Sequence, residues 1–138
     1  MTTVLIVDDN PAVRHLFDMI LVVLKYDTLT APGGEECLNI LKTTIPDIIL
    51  LDIMMEPMDG WQTLVQIKAC PDTKTVPVIM VTGKAVTDDE RCKFSTYYAD
   101  YLMKPVSPRH LQERIEHALH TAAEIKPDQP DMQPHDLL

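Results

Sequence analysis

The 138-residue chain has little of what staples, anchors or steers other small proteins. It carries three cysteines, Cys37, Cys70 and Cys92, an odd number, widely spaced and without CxxC or Cys/His zinc spacing. A disulfide framework and a structural zinc are thereby excluded, and the thiols read as reduced packing residues. Long hydrophobic runs are missing too: none approaches the roughly 18 residues of a membrane span, and the opening Met1-Thr2-Thr3-Val4 lacks the basic segment and apolar core of a signal peptide. The expectation is a soluble, cytoplasmic protein with no membrane contact. Basic residues are scarce, 12 against 21 acidic for a formal net charge of −9. Nucleic-acid surfaces need clustered Lys and Arg to neutralise phosphates, so no direct nucleic-acid binding is expected. At this length one compact domain is expected, burying roughly two thirds of the surface that its unfolded chain exposes.

What is present is a set of short apolar runs. Residues 48–51 are four consecutive apolar residues that run straight into Asp52, and a run with no alternation suits a strand buried on both faces. Residues 4–7 repeat the pattern and end in Asp8 and Asp9. Asn10-Pro11 then reads as N-cap and first helical position, opening a helix to about Lys25 with Val13, Leu16, Phe17, Ile20, Leu21 and Leu24 on one stripe. A weaker strand is expected over 27–31, then a Pro-Gly-Gly turn and a helix whose apolar positions are Cys37, Leu38 and Leu41. After the third strand, 47–51, comes a helix over 61–69, a fourth apolar run over 77–81 and a helix over 88–97 with a poor apolar face. The fifth run, 101–103, precedes a last helix over 108–123. Residues 124–138, rich in Pro and Asp, are expected to be a mobile tail beyond a domain of residues 1–123. This alternation predicts an α/β fold: a doubly wound five-stranded parallel sheet in the flavodoxin-like order 2-1-3-4-5, with five helices as crossovers.

Parallel strands end at one edge, so Asp8 and Asp9, Asp52, Thr82 and Lys104 are expected to be neighbours. Three carboxylates about 5 Å apart repel by about 3 kcal/mol per pair at an effective dielectric of ~20. A cation belongs between them, either Lys104 or a divalent ion. With only oxygen donors on offer, that ion is Mg2+ or Mn2+, which keep several waters and bind phosphate oxygens beside protein ones. Phosphate is the natural guest, with Asp52 as nucleophile and Lys104 and the Thr82 hydroxyl on the transferring group's oxygens.

These motifs, together with Met55, Pro57, Met58-Asp59-Gly60 and the run from Asp100 to Pro105, resemble the receiver domain of two-component response regulators. The resemblance spans residues 3–123. It implies that Asp52 accepts a phosphoryl group from a phosphohistidine on a sensor histidine kinase or histidine phosphotransfer protein. It also implies that Asp9, Asp52 and the Met54 carbonyl hold Mg2+, with Asp8 acting partly through water, and that Thr82 and Tyr101 form a switch. A cis Lys104-Pro105 bond is implied as well. Such a module catalyses its own phosphorylation and slow dephosphorylation, with no external substrate turned over. It would signal to a downstream protein through the face of the fourth helix, fifth strand and fifth helix, as a stand-alone regulator, relay intermediate or fragment. A phosphorylation-dependent homodimer is a further expectation.

Three positions depart from the family. Glu56-Pro57 shifts the usual proline by one, so a different loop path is expected. Tyr98 takes the slot before Ala99 where the family carries Gly, predicting a strained or reshaped turn. Met54 and Lys84 occupy positions that tune phosphate lifetime, and an apolar Met54 cannot orient a water, which predicts slow self-dephosphorylation. Two other functions compete. One is a degenerate receiver fold kept as a constitutive interaction module, which the complete Asp/Asp/Thr/Lys set disfavours. The other is a haloacid-type phosphohydrolase, which wants a second acid where Met54 stands. The five histidines, His15, His110, His117, His120 and His135, read as solvated helix positions, and the eight methionines as gap filling.

Overall fold

The computed structural model describes residues 1–123, which alternate strictly between strand and helix; the expected tail lies outside the described residues. The strands are β1 (Thr3–Val7), β2 (Asp27–Ala31), β3 (Ile48–Asp52), β4 (Val78–Thr82) and β5 (Asp100–Met103). The helices are α1 (Pro11–Val23), α2 (Gly34–Leu41), α3 (Gly60–Ala69), α4 (Asp88–Phe94) and α5 (Pro108–Ala123). All pairings are parallel in the order β2-β1-β3-β4-β5, the expected doubly wound sheet. No described helix is long and apolar enough to cross a membrane.

Side-chain alternation along the strands splits the core into two layers. Leu5, Val7, Ile49, Leu51, Val78 and Met80 meet the layer of α2 and α3, whereas Val4, Ile6, Ile48, Leu50, Ile79 and Val81 meet α1 and α5. β1, β3 and β4 are apolar on both faces because both are covered, and each buried Leu or Ile contributes roughly 1.5–3 kcal/mol.

α1 begins as expected, with the Asn10 side chain accepting from the Ala12 and Val13 amides at 2.9 and 3.3 Å. It ends in a Schellman motif: the Tyr26 amide donates to the Leu21 carbonyl and the Lys25 amide to that of Val22. Lys25 is accordingly left-handed, φ 73°. The expected apolar stripe is narrower than it reads, since Phe17 and Leu21 are buried but Leu16 is 56% exposed, about 100° round the helix from Phe17.

α4 buries no side chain, in line with its poor apolar face, and it stops at Phe94 rather than Tyr97. There the Tyr97 amide turns back to the Phe94 carbonyl and the Ala99 amide reaches that of Val78, tightening the last turn before β5 opens. The strain expected at Tyr98 is not found: Lys25 is the one non-glycine residue with positive φ among those described. Cys37 is buried as expected, its thiol pushed up to about 12 by desolvation, but Cys70 and Cys92 are exposed. Gap filling suits Met55 and Met80 and not the exposed Met1, Met19, Met54 and Met103. His15, His110, His117 and His120 are exposed; His135 lies outside the described residues.

Candidate functional site

The sheet delivers Asp8 and Asp9 just past β1, Asp52 as the last residue of β3, Thr82 as the last of β4, and Lys104 just past β5. The Asp8 amide donates to the Ala31 carbonyl at 3.2 Å and the Lys104 amide to that of Thr82 at 2.8 Å, so the ladder continues into the site. Asp8, Asp9 and Asp52 each offer a carboxylate oxygen, and these oxygens all lie within 4.8 Å of one another. Asp8 and Asp52 are buried and Asp9 is exposed.

Lys104 enters this cluster as the sequence requires. Its ammonium sits 2.7 Å from Asp8 Oδ2 and 3.6 Å from Asp52 Oδ1. Asp8 is held further by its other oxygen, which accepts the Asn10 amide at 2.9 Å. The Arg14 guanidinium donates to the Asp8 carbonyl at 2.8 Å. The Met54 amide points at Asp52 Oδ1 from 3.4 Å. Asp52 titrates at about 6, raised first by burial and then by Asp8; Lys104 and the Met54 amide pull the other way, and Asp9 adds a little. Thr82 is fully buried, and its hydroxyl oxygen accepts the Lys84 amide at 3.2 Å.

The loop after Asp52 doubles back on it. The Gly60 amide donates to the Ile53 carbonyl at 2.8 Å, and a Cβ at Gly60 would lie 2.2 Å from the Asp52 carbonyl oxygen, so only glycine fits this close approach. Asp59 then caps α3 in a capping box with Gln62. The loop carries a cis Glu56-Pro57 bond, and Lys104-Pro105 is cis as the resemblance implied. Met54 is 58% exposed and Lys84 is exposed, both at the mouth of the site.

The switch residue expected at Tyr101 is half-buried and joins an aromatic series that the sequence did not announce. Tyr101 packs edge-on to Tyr98 at 6.3 Å, Tyr98 lies 5.9 Å from Trp61, and Trp61 stacks on Phe94 at 4.5 Å. The Trp61 indole N–H donates to Glu90 Oε2 at 2.6 Å. Gly60 belongs to the motif read from the sequence, though its close approach to Asp52 was not; Arg14 and Glu90 were missed as supports, since their partners are a backbone carbonyl and a side chain 29 residues away, neither of which has a periodic signal.

A parallel sheet with an acidic cluster and one lysine at its carboxyl edge defines a class, and comparison with known proteins specifies it. Residues 4–116 match the Response regulator receiver domain. The chain belongs to that family, the receiver domains of two-component signalling. It is 38% identical over 112 residues, 81% of its length, to Probable transcriptional regulator ycf27 of Guillardia theta, covering 43% of that protein. It is 39% identical over 113 residues, 82% of its length, to Probable cyclic di-GMP phosphodiesterase of Vibrio cholerae, covering 25% of it. The chain thus spans half or less of these curated relatives. Among solved structures, the N-terminal domain of a response regulator receiver protein from Methanoculleus marisnigri is 47% identical with a TM-score of 0.73, over 86% of this chain and 97% of that one. A receiver domain of a sensor histidine kinase from Pseudomonas aeruginosa, with a magnesium ion coordinated in its active-site cleft, is 25% identical with a TM-score of 0.79, over 86% and 98%.

Proposed function

We propose that the chain is a phosphorylation-switched signalling module in which Asp52 accepts a phosphoryl group from the phosphohistidine of a sensor histidine kinase or phosphotransfer protein. The observation that carries this reading is the convergence of three carboxylates within 4.8 Å with one ammonium 3.6 Å from Asp52. Above pH ~6 the Asp52 oxygen is an ionised nucleophile. It attacks phosphorus as the P–N bond to the donor imidazole breaks, and the imidazole nitrogen keeps the electron pair. Lys104 and the Thr82 hydroxyl bind the transferred group's oxygens.

The donor set fits a divalent cation. It is all oxygen, carboxylate-rich and open to water at Asp9, which suits Mg2+ or Mn2+ rather than a thiolate- or imidazole-loving metal. Asp9, Asp52 and the Met54 carbonyl would hold the ion, with Asp8 acting through water. When bound, it neutralises the carboxylates and the phosphoryl oxygens. Domain 1–123 carries this activity on itself and turns over no external substrate. Its output passes to a downstream protein, or to a second copy of the chain, through the face of α4, β5 and α5, and Thr82 and Tyr101 link that face to the phosphate. A cytoplasmic setting follows from the kinase partner.

Incubation with acetyl phosphate and Mg2+ should give an alkali-labile acyl phosphate, a mass gain of one phosphoryl group that Asp52→Asn abolishes. Modification that persists in Asp52→Asn, or none with either acetyl phosphate or a phosphorylated kinase, would refute the assignment. Sustained release of phosphate from esters would place the chain among hydrolases instead.

A further inference from the structure

Away from the carboxylates, an open groove of about 610 Å3 runs between α2, the loop after β3, α3 and α4. Its apolar floor comes from Pro57, Met58, Trp61, Val65 and Phe94. The floor is preformed: Trp61 is stacked on Phe94 at 4.5 Å and tethered to Glu90, and the Thr63 hydroxyl donates to the Asp59 carbonyl at 2.8 Å. Glu35, Asp59, Gln62 and Gln66 supply the polar rim.

We propose that this groove docks a segment of a partner protein that inserts one aliphatic or aromatic side chain and carries Lys or Arg beside it. Shape and charge select that occupant. A groove of this volume is within the range of sites that bury an anchoring side chain, and Val65, 43% exposed, leaves its α3 side open to a passing chain. Both charged rim residues are acidic, and among the described residues no Lys or Arg lines the groove. Arg91 and Lys93 of α4 are exposed and outside it. With the chain at −9 overall, the field steers cations here and repels acidic segments. Because Gly60, next to Trp61, presses on the Asp52 carbonyl, the groove floor and the acceptor strand share one piece of backbone. Docking itself needs no phosphorylation, so its test stands apart from the assignment of Asp52.

The full chain, labelled with nitrogen-15 and kept in chelator, would be titrated with acetyl-Arg-Leu-Phe-Arg-amide and with acetyl-Glu-Leu-Phe-Glu-amide. The proposal expects saturable shifts at the Trp61 indole N–H and the Gln62 and Gln66 amides with the basic peptide, and binding of the acidic peptide at least about threefold weaker at low salt. Val65→Asp should remove the shifts, and Glu35→Lys should erase the preference for the basic peptide; both positions are exposed, so the fold is kept. Equal binding of the two peptides, shifts confined to Asp8, Asp9 and Asp52, or no shift at Trp61 at millimolar peptide would overturn it.

Discussion

Replacing Asp52 with asparagine should stabilise the metal-free protein at neutral pH and leave its stability in acid nearly unchanged. Asp52 is 6% exposed, and its carboxyl is pushed up to about 6 from an ordinary 3.8. With the folded-state value the higher, the native state still holds this proton when the unfolded chain has released it. The stability linked to Asp52 is therefore fully present below pH 3.8, declines as pH rises, and is lost above about 6. A difference of about two units, at 1.36 kcal/mol each, amounts to about 3 kcal/mol. Asparagine keeps the shape and an oxygen for the Met54 amide but has no charge to desolvate or to repel Asp8. Urea unfolding of both proteins in chelator, from about pH 4 to about pH 8, would measure the gap. It should open with pH and reach about 3 kcal/mol, roughly 10 °C in Tm for a domain of this size. Added Mg2+ should then narrow it, because an ion held as proposed by Asp9 and Asp52 would stabilise the wild type more than the variant. A gap that does not change with pH, or a variant less stable than wild type at neutral pH, would refute the argument that burial and Asp8 strain this carboxylate.

Gly60→Ala should cost about 2 kcal/mol or more in urea unfolding, since its Cβ would lie 2.2 Å from one backbone oxygen; Gly83→Ala, with nothing within 4 Å, is the neutral control. Trp61→Phe keeps a ring against Phe94 but loses the N–H to Glu90, so amide hydrogen exchange in α4 should accelerate more than in α3. Lys68, desolvated in the last turn of α3 and donating to the Lys74 and Val76 carbonyls, is lowered to about 8 from 10.5. Wild type should therefore gain stability relative to Lys68→Met as pH rises from about 8 to 10.5, and a difference that is flat over that range would count against it. Met54→Asn should shorten the lifetime of the acyl phosphate, followed by loss of phosphoprotein in a chelator chase, because an amide at the mouth of the site can orient water where a thioether cannot.

The layout was legible because it rests on features that repeat locally. Four apolar residues before Asp52 and before Asp8 mark strands covered on both faces, and Asn10-Pro11 marks a helix start; parallel order then brings the carboxylates and Lys104 together whatever their spacing. What escaped the sequence depends on tertiary surroundings rather than on local pattern. Leu16 looked like core because helical spacing does not say how wide the covered stripe is. At Tyr98, where glycine is the usual solution, the sequence predicts a strained or reshaped turn; the turn is reshaped, tightening at Tyr97, and what was not readable is that Tyr98 bridges Trp61 and Tyr101. Lys68 carries no local signal of its role, because only the path of residues 74–76 encloses it.

The unevenness of packing bears directly on how a phosphoryl group could move this molecule. β3 is buried along its whole length, so a charge arriving at Asp52 cannot be accommodated by shifting that strand. α4 is the opposite case: no side chain of it is buried. The hold on it includes the Thr87–Glu90 capping box, the Trp61 bond to Glu90 and the ring of Phe94 on Trp61. By ordinary magnitudes these amount to about 1 kcal/mol for the cap, about 1.5–3 for a hydrogen bond to a charged group and about 1 for the stack. A ligand can shift a conformational equilibrium only by its differential interaction with the two states, and the strain held at Asp52 in the metal-free protein, about 3 kcal/mol, is of the same order as the hold on α4. If Asp52 accepts a phosphoryl group as proposed, a change of this size is enough to redistribute α4, which buries no side chain, and too small to disturb the fully buried β3.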